Sequence, residues 1–148
     1  MNSPKVSVVI PAYKQAEYLG STIQSVLDQT YTNFEVIVVN DASPDNTTEV
    51  VQQFDDPRLK YIIHERNQML PAARNTGMRA STGEIIALLD ADDLFHPNKL
   101  AAHVAYLAQH PEIGVTYNAR FDVDAKGNPL SLWRPRMSTS LPDFVVGF

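Results

Sequence analysis

Ile85-Ile86-Ala87-Leu88-Leu89-Asp90-Ala91-Asp92-Asp93 is an apolar run that stops in three carboxylates within four positions. A run without polar alternation reads as a strand buried on both faces, the kind a parallel sheet carries between helical layers. Carboxylates at its end emerge at the rim where open α/β sheets place their ligands. Crowded anions repel one another, so the cluster calls for a cation among them or for solvation. Oxygen donors suit Mg²⁺ or Mn²⁺, ions that commonly also hold a phosphate-bearing substrate. A solvated acidic turn or helix cap is the plain alternative, and spacing alone leaves both readings open.

Outward from this stretch the chain alternates. Val6 to Ile10 reads as a buried strand closed by Pro11, and Tyr18, Leu19, Ile23, Val26 and Leu27 recur at helical spacing. Phe34 to Val39 is a second strand ending at Asn40-Asp41, and the turn residues 42–46 supply Asp45 or Asn46 as a cap for a helix carrying Val50, Val51 and Phe54. Leu59 to Ile63 is a third strand, and a helix from Leu70 to Ala80 follows, ended by Ser81-Thr82-Gly83. After the acidic strand, His96-Pro97 is expected to open a helix with Pro at its first position. Ile113 to Tyr117 reads as a fifth strand, and residues 124–128 as a hairpin turn between extended arms. The order predicts an α/β fold: a mostly parallel, Rossmann-like sheet with helices on both faces.

A length of 148 residues predicts one domain, large enough to bury a core without staples. The apolar segment 143–148 starts where the sequence stops, so the domain is expected to be truncated on its C-terminal side. With a net charge of −5 and no basic run, no nucleic-acid partner is expected. The absence of cysteine excludes disulfides, Cys-ligated zinc and thiol catalysis. No apolar stretch approaches the ~20 residues of a membrane helix. The expected location is cytoplasmic, with the parent protein at the inner face of the membrane.

In a parallel sheet all strand C-termini share one edge. Pro11-Ala12-Tyr13, Asn40-Asp41 and the Asp90–Asp93 cluster each lie at such an end and should converge, although a loop cap is the better reading of Asp41 taken alone. Arg74 stands near the start of its helix, where a cation opposes the macrodipole. It is therefore a candidate partner for phosphate or carboxylate, against the alternative of an ordinary surface arginine. Gly77, inside the same helix, points to close packing on the sheet. Trp133 suits either packing or stacking on a sugar face, and the four histidines show no metal-ligand spacing.

Val6-Ser-Val-Val-Ile-Pro-Ala-Tyr13, residues 25–31, Phe34 to Ser43, Ala72-Ala-Arg-Asn-Thr-Gly77 and Leu89 to Leu94 together resemble the N-terminal part of the GT-A-fold, family-2 glycosyltransferases. The resemblance implies a nucleotide-sugar donor, UDP-linked, used with Mn²⁺ or Mg²⁺ in an inverting transfer to a saccharide, lipid or polymer acceptor. It also implies roles for residues. Pro11, Ala12 and Tyr13 would border the nucleoside, Asp41 would accept from the base, and Arg74 would lie beside base or diphosphate. Asp90 and Asp92 would hold the ribose side of the donor, with Asp92 and Asp93 as metal contacts. The family's general base is expected beyond residue 148. One departure stands out: where the family often has Asn-x-Gly before the Arg helix, this chain has Asn67-Gln68-Met69. The alternatives are a non-catalytic nucleotide-sugar-binding or assembly module and, less favoured, a phosphoryl-transfer enzyme using Asp90 and Asp92. A homodimer through the apolar tail is a further expectation.

Overall fold

The computed structural model describes residues 3–124 and 128–133. The chain divides into two compact units, Met1–Ala105 and Tyr106–Phe148. The first holds β1 (Val6–Ala12), α1 (Ala16–Leu27), β2 (Phe34–Asn40), α2 (Thr47–Val51), β3 (Leu59–Ile63), α3 (Met69–Ala80) and β4 (Ile85–Leu88). Helix α4 (Lys99–Gln109) crosses the division, and β5 (Arg120–Val123) and β6 (Pro129–Trp133) lie in the second unit.

Four strands form one sheet in the order β3-β2-β1-β4, every pair parallel. All seven residues of β1 and of β2 are buried, as their mostly apolar character requires of strands covered on both faces, with Ser7, Glu35 and Asn40 the polar exceptions. Alternation of side chains assigns the faces. Val8, Ile10, Val36 and Val38 pack with Leu19, Ile23 and Val26 of α1, Val51 of α2 and Leu100 of α4. Ile37 and Val39 face the other way onto Ala73 of α3. Each such aliphatic side chain, fully withdrawn from water, contributes roughly 1.5–3 kcal/mol.

Three expected boundaries move. Pro11 does not close β1, which runs on to Ala12 with Pro11 beside Val39 and Ala12 beside Asn40. Val9 O accepts from Leu89 N on one side and Ala12 O from Asp41 N on the other. By that parity the Pro11 nitrogen points past the end of β4, where no ladder bond is lost. Helix α4 starts at Lys99 instead of Pro97, because residues 96–98 form a turn in which His96 O takes the Lys99 amide. Residues 113–117 form no strand. Their β-branched composition fits a strand, but propensity is realised only beside a neighbour that pairs the backbone. The expected hairpin arms are present as antiparallel β5 and β6, with Asp124 N donating to Asn128 O. The turn tip at 125–127, the loop 134–140 and the apolar segment 143–148 lie outside the described residues.

Candidate donor-binding site

The C-terminal ends of β1, β2 and β4 open into one cavity of about 420 Å³. Its wall includes Pro11, Ala12, Tyr13, Asp41, Asp90 and Asp92, so six positions drawn from three distant stretches of sequence meet as the crevice rule predicts. Gln15, Asn67, Met69, Leu70, Ala73 and Ala91 complete it. One side is thus apolar and the other carries carboxylates.

Asp41 is the most enclosed of these acids, at 2% exposure. Its Oδ1 accepts from His64 Nδ1 at 2.6 Å and from the Gln68 amide at 2.8 Å. His64 is itself buried and its Nε2 lies 2.9 Å from Thr76 Oγ1 on α3. Asp41 is therefore more than a cap: it is gripped from β3's end and from the loop entering α3. His64 escaped the sequence reading, which searched the histidines for metal spacing. The signal that could have found it was its place directly after β3, at the same rim.

Arg74 Nη2 donates to Asp90 Oδ1 at 2.7 Å, so the cation near the start of α3 has a carboxylate partner, as its position suggested. Gln15 Nε2 donates to Asp92 Oδ2 at 3.2 Å. Asp93 is not on the cavity wall; its charge acts on Lys99, whose pKa burial lowers while Asp93 draws it back up. Each carboxylate of the cluster has a neighbour that moderates repulsion. The cluster therefore does not need a cation for its own stability.

Side chains of α1 and of the turn just after it hold the acidic loop in place. Thr22 Oγ1 donates to Ala91 O at 2.8 Å, Ser25 Oγ accepts from Phe95 N at 3.1 Å, and Gln29 binds both His96 O and the Leu100 amide. A second lacing joins the loops after β1 and β2. Asp45 accepts from Ser43, from Thr47 and from the first amide of α1 at Ala16. Burial would raise the Asp45 pKa, but these hydrogen bonds, with a fourth from the Thr47 amide, outweigh it and bring the group to about 2. Asp45, and not Asn46, is the acid that serves helix starts here: Asn46 makes no side-chain cap bond.

Among the described residues no three acidic or histidine side chains are arranged to cage a metal. An ion such as Mg²⁺, which keeps waters and takes one or two carboxylates plus substrate phosphates, needs no such cage. Asp92, exposed on the wall and all-oxygen in chemistry, fits such a role. In the second unit, Trp133 is half-exposed with the Arg120 guanidinium 5.5 Å from its ring centre.

A parallel sheet with a crevice at the ends of β1, β2 and β4 is Rossmann-like, and solved structures agree. The mannosyltransferase PcManGT of Pyrobaculum calidifontis, solved with GDP-Man and Mn²⁺, matches with a TM-score of 0.74 and 31% identity over 81% of this chain and 37% of that one. S. aureus TarS 1-349 with UDP-GlcNAc matches with a TM-score of 0.76 and 29% identity, over 86% of this chain and 37% of that one. The fold is GT-A.

The family model described as Glycosyl transferase family 2 matches residues 7–147, and the chain belongs to that family. An uncharacterised glycosyltransferase of Nostoc sp. is 39% identical over 96% of this chain and 45% of its own length. The Escherichia coli enzyme WfgD, named a UDP-Glc:alpha-D-GlcNAc-diphosphoundecaprenol beta-1,3-glucosyltransferase, is 36% identical over 74% of this chain and 44% of its own. The chain thus spans less than half the length of these relatives. Among the described residues no helix is long and apolar enough to cross a membrane.

Proposed function

We propose that residues 1–148 form the donor-binding domain of an inverting, metal-dependent glycosyltransferase that takes its sugar from a UDP-linked donor. The observation that carries this reading is the meeting of Asp41, Asp90 and Asp92 on the wall of one cavity that also carries Pro11, Ala12, Met69, Leu70 and Ala73. A nucleoside suits the apolar side, between Pro11, Ala12 and Leu70, with Asp41 taking a base N–H. The diphosphate suits the acidic end, where Arg74 supplies positive charge next to Asp90. Asp92 would hold Mn²⁺ or Mg²⁺ there in preference to Asp93, which lies off the wall. When bound, such an ion neutralises charge on the departing nucleoside diphosphate.

This chain's own residues then have three tasks: to hold the base, to orient the diphosphate, and to keep the acidic loop fixed through Thr22, Ser25 and Gln29. The general base and the acceptor site are assigned to no residue here. WfgD's lipid-diphosphate acceptor favours a saccharide on a lipid carrier, met at the cytoplasmic face of a membrane.

Calorimetric titration with UDP, with and without Mn²⁺, tests the reading. UDP should bind, and Mn²⁺ should tighten binding by about tenfold or more. Asp92→Asn should remove the Mn²⁺ effect while leaving the melting temperature within about 2 °C. Absence of UDP binding under both conditions would refute the donor site.

A further inference from the structure

His64 is buried at the end of β3, with its ring against Asp41. Its position constrains what Asp41 can recognise. A carboxylate oxygen offers two lone-pair sites. Both sites on Asp41 Oδ1 are filled, one by His64 Nδ1–H at 2.6 Å and one by the Gln68 amide at 2.8 Å. Because the carboxylate only accepts, the ring proton sits on Nδ1, and the Thr76 hydroxyl 2.9 Å from Nε2 fixes that orientation. Among the described residues no group bonds Oδ2, and Asp41 lines the cavity. A side chain buried to all but 3% therefore presents one available oxygen to a ligand.

We propose that His64 is a positioning residue that sets base selectivity, by occupying Oδ1 so that Asp41 cannot take two adjacent N–H donors one on each oxygen. This rests on the reading of the cavity as a nucleotide site. Uracil presents a single imide N–H between two carbonyls, and one free acceptor satisfies it. The carbonyl beside that N–H then lies near Oδ1, an oxygen whose charge is already shared between two donors. Guanine presents two adjacent donors, N1–H and the N2 amine, which ask for both oxygens of a carboxylate at once. With Oδ1 occupied, both guanine donors would have to share Oδ2, where parallel N–H groups cannot both align, and that penalty separates the two bases.

The test measures dissociation constants for UDP and GDP, both with Mn²⁺, in the wild-type chain and in two polar variants. His64→Asn places an amide donor where Nδ1 stands and should keep the UDP-over-GDP preference within about threefold of wild type. His64→Gln places its amide near the Nε2 position, toward Thr76, and frees a site on Oδ1. Its UDP-over-GDP preference should fall by about tenfold, through weaker UDP binding and stronger GDP binding. A purely structural role for His64 would weaken both nucleotides together and leave the ratio unmoved. An unchanged ratio in a folded His64→Gln protein, or a wild type that binds UDP without preferring it to GDP, overturns the inference. If His64→Gln does not fold, Thr76→Val loosens the same ring and should lower the ratio; an unchanged ratio there overturns the inference equally. Failure of the wild type to bind UDP at all would instead overturn the donor-site reading itself.

Discussion

Met69 carries a backbone strain that its neighbours explain. Its φ is +71°, in the left-handed region, and it opens α3 at the lip of the cavity with 68% of its surface exposed. For a residue with a Cβ this conformation costs roughly 1–2 kcal/mol. Asn67 Oδ1 holds the Met69 amide at 3.0 Å, and the Gln68 amide is spent on Asp41, so the loop is pinned in this shape from both sides. The position is the one at which the family resemblance expected glycine. Met69→Gly should therefore stabilise the fold by about 0.5–1 kcal/mol, after subtracting the greater freedom of glycine in the unfolded chain. Denaturant unfolding measures this directly. A lower midpoint would mean that the methionine side chain contributes more than its backbone costs.

The seating of α3 on the sheet depends on one missing methyl group. A Cβ on Gly77 would stand 2.2 Å from Val9 Cγ1 and 3.3 Å from Val39 Cγ2. Both neighbours are fully buried β-branched side chains in the two central strands and have little room to turn aside. Helix propensity favours alanine over glycine by about 1 kcal/mol. Overpacking of a tight core costs about 1–3 kcal/mol, and at this distance the upper part of that range applies. Gly77→Ala should thus destabilise the protein by about 1–2 kcal/mol net in equilibrium unfolding. Because α3 also carries Arg74 and Thr76, the same change should weaken UDP binding. Unaltered stability would show that α3 can shift off the sheet without penalty.

At the scale of the molecule, the edge opposite the cavity is closed by one buried carboxylate. Glu35 on β2 is 2% exposed and gathers Lys5 at 3.0 Å, Lys60 of β3 at 2.8 Å, Ser7 of β1 at 2.7 Å and the Thr82 amide ahead of β4 at 2.7 Å. β1, β2, β3 and the loop leading into β4 are joined through it. Burial pushes its pKa up, but the Lys60, Ser7, Thr82 and Lys5 hydrogen bonds prevail and hold it well below the usual carboxylate range. A depressed folded-state pKa stabilises the protein fully above the unfolded value of about 4.3 and progressively less as pH falls below it. Asp45 adds a loss of the same sign between about 3.9 and its folded value of about 2. Glu35→Gln should cost about 2 kcal/mol at pH 7, and the gap to wild type should shrink below about pH 4.3. Thermal melts of both proteins from pH 2.5 to 7 check this. A gap that does not change with pH would assign the loss to packing instead of charge.

The parallel α/β order, the burial of β1 and β2 and the acidic rim were legible in the sequence, because period and apolar runs encode burial locally and the crevice rule then brings strand ends together. The run 85–89, read as buried on both faces, instead gives β4 at the sheet edge with Ile86 43% exposed, because no further strand of the described sheet covers it. Pro11, Ala12, Tyr13, Asp41, Asp90 and Asp92 could be placed on one wall before any coordinates were at hand. The continuation of β1 through Pro11 and the missing strand at 113–117 could not be read, since each depends on whether a neighbouring backbone is there to pair. His64, Gln15, Thr22 and Gln29 were likewise invisible: their sequence neighbourhoods are ordinary, and what makes them matter is a hydrogen bond to a residue 23 or more positions away. Local chemistry chose the elements and the charged rim of this protein. Long-range hydrogen bonding, which no local pattern encodes, decided that Oδ1 of Asp41 is taken by His64 and the Gln68 amide.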